Sequence, residues 1–231
     1  YIDIENDLTV DDTGIININH EGSLVMVNDA GVVTLNGTGM INVEKTTTSF
    51  EQYDYTYWSS PIASTTFGTS LGTWRLDRTF RYIASNFEDL DDDELDDNDD
   101  VWAHILATDV MTPGVGYAVM GPTTGSFPRT EGITFSGAVN NGVITPTISL
   151  SADATDTEDD WNFVGNPYPS AISADDFVAL NTNISGTLYF WTHIDDVSIS
   201  NPGPDLFNYS TDDYAMYNTV GGVGTASTSG G

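Results

Sequence analysis

The densest run of oxygen ligands is NFEDLDDDELDDNDDVW, residues 86 to 102, in which ten of the thirteen residues from Glu88 to Asp100 are acidic. Asp89, Asp91 and Asp93 have the i, i+2, i+4 spacing of oxygen ligands in calcium loops, and Asp96, Asn98 and Asp100 repeat it. A hard divalent cation would relieve the repulsion that so many carboxylates impose on one another, so these six residues are the leading calcium candidates. The EF-hand pattern itself is not met, because neither start has Gly at its sixth position or Glu at its twelfth. The plain alternative is a solvated, disordered acidic loop, against which Leu90, Leu95 and the immediate return to VWAHI point to a loop anchored at both ends. Asp212/Asp213 beside Tyr214, and the run from Asp156 to Asp160, are secondary candidates.

Other chemistry is sparser. GTSLG, Gly68 to Gly72, matches G-x-S-x-G, but a nucleophile elbow needs a strand before the Ser and a helix after it. Here a Thr-rich loop precedes it and a strand-like TWRLDRTFRYI comes next. His20, His104 and His193 are far apart and have no metal-ligand spacing, so they read as core or strand-end histidines. Glycoside hydrolysis requires two carboxylates about 5–9 Å apart, one held at a raised pKa by apolar surroundings. Most acids lie in polar runs; Asp54, between Tyr53 and Tyr55, is the strongly aromatic-flanked one. The expectation is a non-catalytic protein.

The elements that must position these residues are read from texture. Residues 1–48 carry apolar bursts about every eight or nine residues, separated by DDTG, HEGS, NDAG and NGTG, good turn chemistry. Such a segment is a meander or the rungs of a β-solenoid. Residues 49–231 change to aromatic-rich strands, with YDYTYWSSPI placing Tyr53, Tyr55 and Tyr57 on one face. TWRLDRTFRYI places Trp74, Leu76, Phe80 and Tyr82 on one face, opposite Arg75 and Arg81. Further strands are predicted at residues 116–120, 133–135, 143–150, 162–164, 186–192 and 214–217. Ser173 as N-cap, with Asp175 and Asp176 behind it, predicts a short helix to Leu180. The fold class is all-β: a β-sandwich-like module preceded by a short solenoid or meander, with at most one or two short helices.

The chain has 231 residues, and 5 Lys+Arg against 35 Asp+Glu give a formal net charge of -30. That field repels nucleic acid and anionic membranes and attracts cations. No stretch approaches the roughly 20 apolar residues of a membrane-spanning helix, and the absence of Cys excludes disulfides. A start at Tyr1 and an end in STSGG read as an excerpt from a longer polypeptide.

In order, YDYTYWSSPI, MTPGVGYAVMGP (Met111 to Pro122), WNFVGNPYPSAISADDF (Trp161 to Phe177), GTLYFWTH and STDDYAMYNTVGGVGTAS resemble a module of very large secreted surface proteins of the Bacteroidetes, exported by type IX secretion. The resemblance covers roughly residues 50 to 226; the long acidic insertion after Arg81 departs from it. It implies an extracellular, cell-surface adhesion or structural module in a long fibre, with neighbouring modules as partners. A carbohydrate-binding module contacting surface glycans is the alternative, and a hydrolase fragment the lesser one. A planar row of solvent-facing Trp58, Trp74, Trp102 or Trp191 would mark sugar binding, and burial of all five Trp a scaffold. The NPYPS stretch is expected to be a structural corner: Pro167 and Pro169 fix the backbone, Asn166 satisfies turn groups, and Trp161 and Tyr168 pack in the core.

Overall fold

The computed structural model describes residues 1–90, 96–152, 160–201 and 208–223. It is all-β, with 34% of residues in strands and 8% in helices.

The opening segment forms β1 (Ile2–Ile4), β2 (Leu8–Val10), β3 (Ile15–Ile18), β4 (Leu24–Met26), β5 (Val33–Leu35) and β6 (Met40–Thr46). The pairing is parallel: β1 lies on β4, β2 on β5 and β3 on β6. These are two stacked solenoid rungs, so the rung reading holds and the hairpin reading does not. Apolar residues stack on apolar ones, as Ile16 on Ile41 and Ile18 on Val43. Polar side chains bond across the rungs at a step of 25 residues, Asn36 to Asp11 at 2.8 Å and Asn42 to Asn17 at 2.9 Å. One corner is longer in the second rung: Asn28 reaches Asn6 at a step of 22, but past that corner Val32 N–H reaches Asp7 at a step of 25. The turn motifs DDTG, HEGS, NDAG and NGTG each close through the Gly N–H, as from Gly14 to Asp11 O and from Gly31 to Asn28 O.

The chain divides into two compact units. Unit 1 comprises residues 1–46, 57–120 and 131–171, so the rungs share a unit with most of the aromatic-rich strands. Here β11 (Gly132–Ser136) runs antiparallel along β6 and completes a sheet in the order β11-β6-β3. A second sheet has the order β7-β10-β8-β9, from β7 (Tyr55–Trp58), β8 (Arg75–Tyr82), β9 (Trp102–His104) and β10 (Tyr117–Met120). Strand β10 is buried along its whole length, as befits YAVM between two neighbours. Ile41, Val43, Ile133 and Phe135 of the first sheet and Trp58, Tyr117 and Val119 of the second belong to one core with Trp74 and α1 (Phe67–Ser70). The two sheets thus share one core, with the rung strands β3 and β6 supplying part of one of them.

Unit 2 comprises residues 47–56, 121–130 and 172–231. It contains the antiparallel meander β12 (Thr187–Trp191), β13 (Tyr214–Asn218) and β14 (Gly221–Val223), and α2 (Ala174–Leu180). The Ser173 hydroxyl accepts from Asp176 N–H, with Asp175 and Asp176 in the first turn, as expected of the cap.

Several expectations are corrected. Trp161 is 45% exposed, not a core residue. No strand forms over 162–164, where Val164 makes a single bridge to Val115, and none over 143–150. Asn162 bonds there in place of a ladder partner, accepting from Ser149 N–H and donating to Ser149 O. Tyr53 precedes β7 at φ 80°, so it does not share a strand face with Tyr55 and Tyr57. In β8 a bulge breaks the alternation, and Thr79 becomes the fully buried position.

Candidate functional site: two sets of carboxylates

In unit 1 the recurring motifs lock into one another. Gly116 of the P-G-V-G-Y turn has no side chain because the Phe163 ring occupies that place, and Gly165 likewise faces the Ser59 side chain of YWSSP. The backbones close the same contacts through Gly116 N–H to Phe163 O and Gly165 N–H to Gly114 O. Buried Asn140 donates from one amide to both Ser60 O (3.1 Å) and Pro167 O (2.8 Å). Asn141 donates to Asn28 O and Gly31 O of the longer rung corner, and the Tyr168 hydroxyl to Gly142 O. Asn166 behaves as expected, accepting from Tyr168 N–H and donating to Ser170 O. A cavity of about 270 Å³ is lined by residues 24–26, 29, 140–142 and 168–170, and its Asn140, Asn141 and Tyr168 polar groups make the bonds above.

The acidic loop uses its described ligand candidates on its own backbone. Both Asp96 oxygens accept amides, Oδ1 from Glu88 N–H and Oδ2 from Val101 N–H. Asn98 bridges Glu88 and Asp100, Asp100 is exposed, and Asp89 is 5% exposed. Asp91 and Asp93 lie outside the described residues, as does the Asp156–Asp159 part of the second acidic run. Asp160 accepts from Ser151 N–H.

Ser70 of GTSLG ends the helical turn α1 and shares a hydrogen bond with the Thr65 hydroxyl, so it does not stand at a strand-to-helix turn. His20 Nδ1 lies 2.9 Å from Thr46 N, within the rungs. His104 lies on β9 with its ring edge against Phe80.

Unit 2 gathers the other acids. Asp54 is 3% exposed, and its Oδ2 accepts from Glu51 N–H at 2.7 Å. Asp213 is fully buried at the end of a 3-10 turn, Thr211–Asp213, capped by Ser210. Its Oδ1 accepts from Ile194 and Asp195 N–H, both at 2.8 Å, and its carbonyl accepts from Thr192. Its Oδ2 is buried without a hydrogen-bond partner. His193, at φ 41°, lies between Tyr55 O and the Thr48 hydroxyl, and burial lowers its pKa. Trp191 donates to the same Tyr55 carbonyl at 2.9 Å. Among the described residues no three acidic or histidine side chains form a ready-made metal cage.

Burial pushes Asp54 up to about 6, with the charges of Asp213, Asp196 and Glu51 acting in the same direction. Asp213 is also raised by burial, and by Asp195. Since folding raises the Asp54 pKa, its contribution to stability is full below about 4 and is lost as pH rises through 6. The span corresponds to about 3 kcal/mol. His193, lowered, contributes in the opposite sense below its ordinary value of 6.5. Asp54→Asn keeps an acceptor for Glu51 N–H and should therefore be more stable than wild type at pH 7 in chelator, with the difference vanishing by pH 4. Urea denaturation of both proteins across that range checks this, and parallel curves would refute it.

A family model described as a domain of unknown function (DUF8693) matches residues 1–231. Comparison with curated proteins and with solved structures gives no match.

Proposed function

The chain belongs to the DUF8693 family, and we propose that it serves as a non-catalytic, extracellular structural or adhesion module of a large secreted surface protein. The observation that carries this reading is how the motif residues are used. The glycines, Asn140, Asn166 and Tyr168 contact the chain's own backbone and rings, and Trp191 and His193 contact Tyr55 O. A motif set spent on internal bonds specifies a rigid building block. The raised acids Asp54 and Asp213 are too buried to meet a sugar or an ester. The excess of 35 acids over 5 bases suits a cell-surface setting rich in divalent cations, with neighbouring modules as partners and calcium as the stabilising ion. Purified protein offered glycosides, esters and peptides should show no turnover above background. Turnover abolished by changing one particular Asp would overturn the assignment.

Carbohydrate binding is the second reading, favoured by the exposure of Trp102 and Trp161 at 41% and 45%. Trp58 and Trp74 are buried, and Trp102 meets Tyr82 and Phe163 edge-on at 73°, so these rings form no flat row. A glycan array on which Trp102→Ala abolishes binding would establish it.

A further inference from the structure

Among the described residues no Lys or Arg acts on Asp54 or Asp213, and the one base beside Asp213, His193, is itself buried with its two ring nitrogens engaged by Tyr55 O and the Thr48 hydroxyl. Asp54 and Asp213 are both buried and flank one junction: the Tyr55 carbonyl next to Asp54 meets Trp191 and His193, and Asp213 accepts from Thr192 at its carbonyl and from Ile194 and Asp195 N–H at Oδ1. The sequence places a single Lys or Arg in this unit, Arg129, whose guanidinium bonds Thr124 O and lies 5.8 Å from the Phe127 ring centre. Asp213 Oδ1 is spent on two amides, while Oδ2 is sealed from solvent and accepts nothing. A buried carboxylate oxygen with neither donor nor cation is costly, and folded proteins resolve such a group with a proton, a base or a metal ion.

We infer that Asp54 and Asp213 hold a calcium ion in unit 2, completed by main-chain carbonyls and water, with Asp196 and Glu51 adding negative field. Both ring nitrogens of His193 are already engaged, by Tyr55 O and the Thr48 hydroxyl, so the donors left to an ion are oxygens, which suit calcium and its flexible coordination number. With two carboxylates in place of a full acidic cage, affinity should fall in the range of extracellular modules, about 0.1–1 mM. The site shares its ion with the calcium-stabilised reading above but none of the residues of the 88–100 loop.

The test is the melting temperature in chelator, in about 10 mM calcium and in sodium chloride of equal ionic strength. It is run for wild type, Asp54→Asn, Asp213→Asn and the loop variant Asp91→Asn/Asp93→Asn. Asparagine at 213 keeps Oδ1 for the Ile194 and Asp195 amides. Wild type and the loop variant should rise by about 3–10 °C in calcium beyond matched salt. Asp54→Asn and Asp213→Asn should lose that rise while melting no lower than wild type in chelator. Terbium emission excited through the nearby aromatics, displaced by calcium, gives a second reading that requires no melting transition, and should fall in both pair variants. Loss of the rise in the loop variant alone would move the ion to residues 88–100 and overturn the pair site, leaving calcium stabilisation intact. No rise beyond salt in any protein would overturn both, and would leave a shared proton as the resolution of the pair. Should Asp213→Asn fail to fold, Asp54→Asn decides between these outcomes.

Discussion

Trp74→Ala should cost about 3–5 kcal/mol in urea denaturation, while Trp161→Ala should cost less than about 1 kcal/mol. Trp74 is 5% exposed and meets Trp58 edge to face, with centroids 5.4 Å apart and planes at 89°. Phe135 of the opposite sheet lies 6.4 Å from the Trp58 ring. Truncation at 74 therefore removes the ring that supports Trp58, whose own ring meets Phe135 of the other sheet. Phe67, Leu71 and Val119 belong to the same close-packed core, so little is free to fill the cavity. Trp161 has solvent on one side, so its removal opens no cavity. A reversed ranking would place the 161 indole in the core and refute the fold of residues 160–164.

Asn140→Ala should destabilise unit 1 by about 2–4 kcal/mol, more than its small volume suggests. The amide bonds Ser60 O and Pro167 O at once, so truncation leaves two buried carbonyls with lost partners. Tyr168→Phe, which removes one hydroxyl bond to Gly142 O, should cost about 1 kcal/mol. Combining the two substitutions measures whether the corner acts as a unit. Costs that simply add would show that loop 140–142 and the Pro167–Pro169 stretch are held independently.

What could be read from the sequence was what depends on neighbours along the chain. The cap at Ser173 and the Asp175/Asp176 turn specify α2 locally, and the Gly-closed turns specify the rung corners. Whether the bursts stack as rungs or fold back as hairpins depends on contacts 25 residues away, which periodicity does not encode. Trp161 misled because its alternation with Phe163 resembles a strand, yet only Val164 finds a bridge partner and the pattern has no ladder to enforce it. Residues 143–150 misled similarly: Pro146 donates no N–H, and the Asn162 amide does what a neighbouring strand would have done. Asp54 was visible through its flanking tyrosines and Asp213 through its position beside Tyr214. What was not visible is the long-range pairing of the Tyr55 carbonyl, next to Asp54, with Trp191 and His193, 136 and 138 residues away along the chain.

The 25-residue step between rungs also constrains how such a segment can vary over evolutionary time. Losing one residue from a rung strand would turn every later side chain of that strand to the opposite face and unpair the Asn36–Asp11 and Asn42–Asn17 bonds together. Gaining or losing a full turn disturbs neither, because each rung presents the same polar ladder and the same apolar interior to the next. Length should therefore change among relatives in whole-turn quanta, each about 4.8 Å along the stacking axis. The corner at Asn28–Gly31 is the tolerated exception, since its carbonyls are held by the amide of Asn141 and the 25-residue step resumes at Val32.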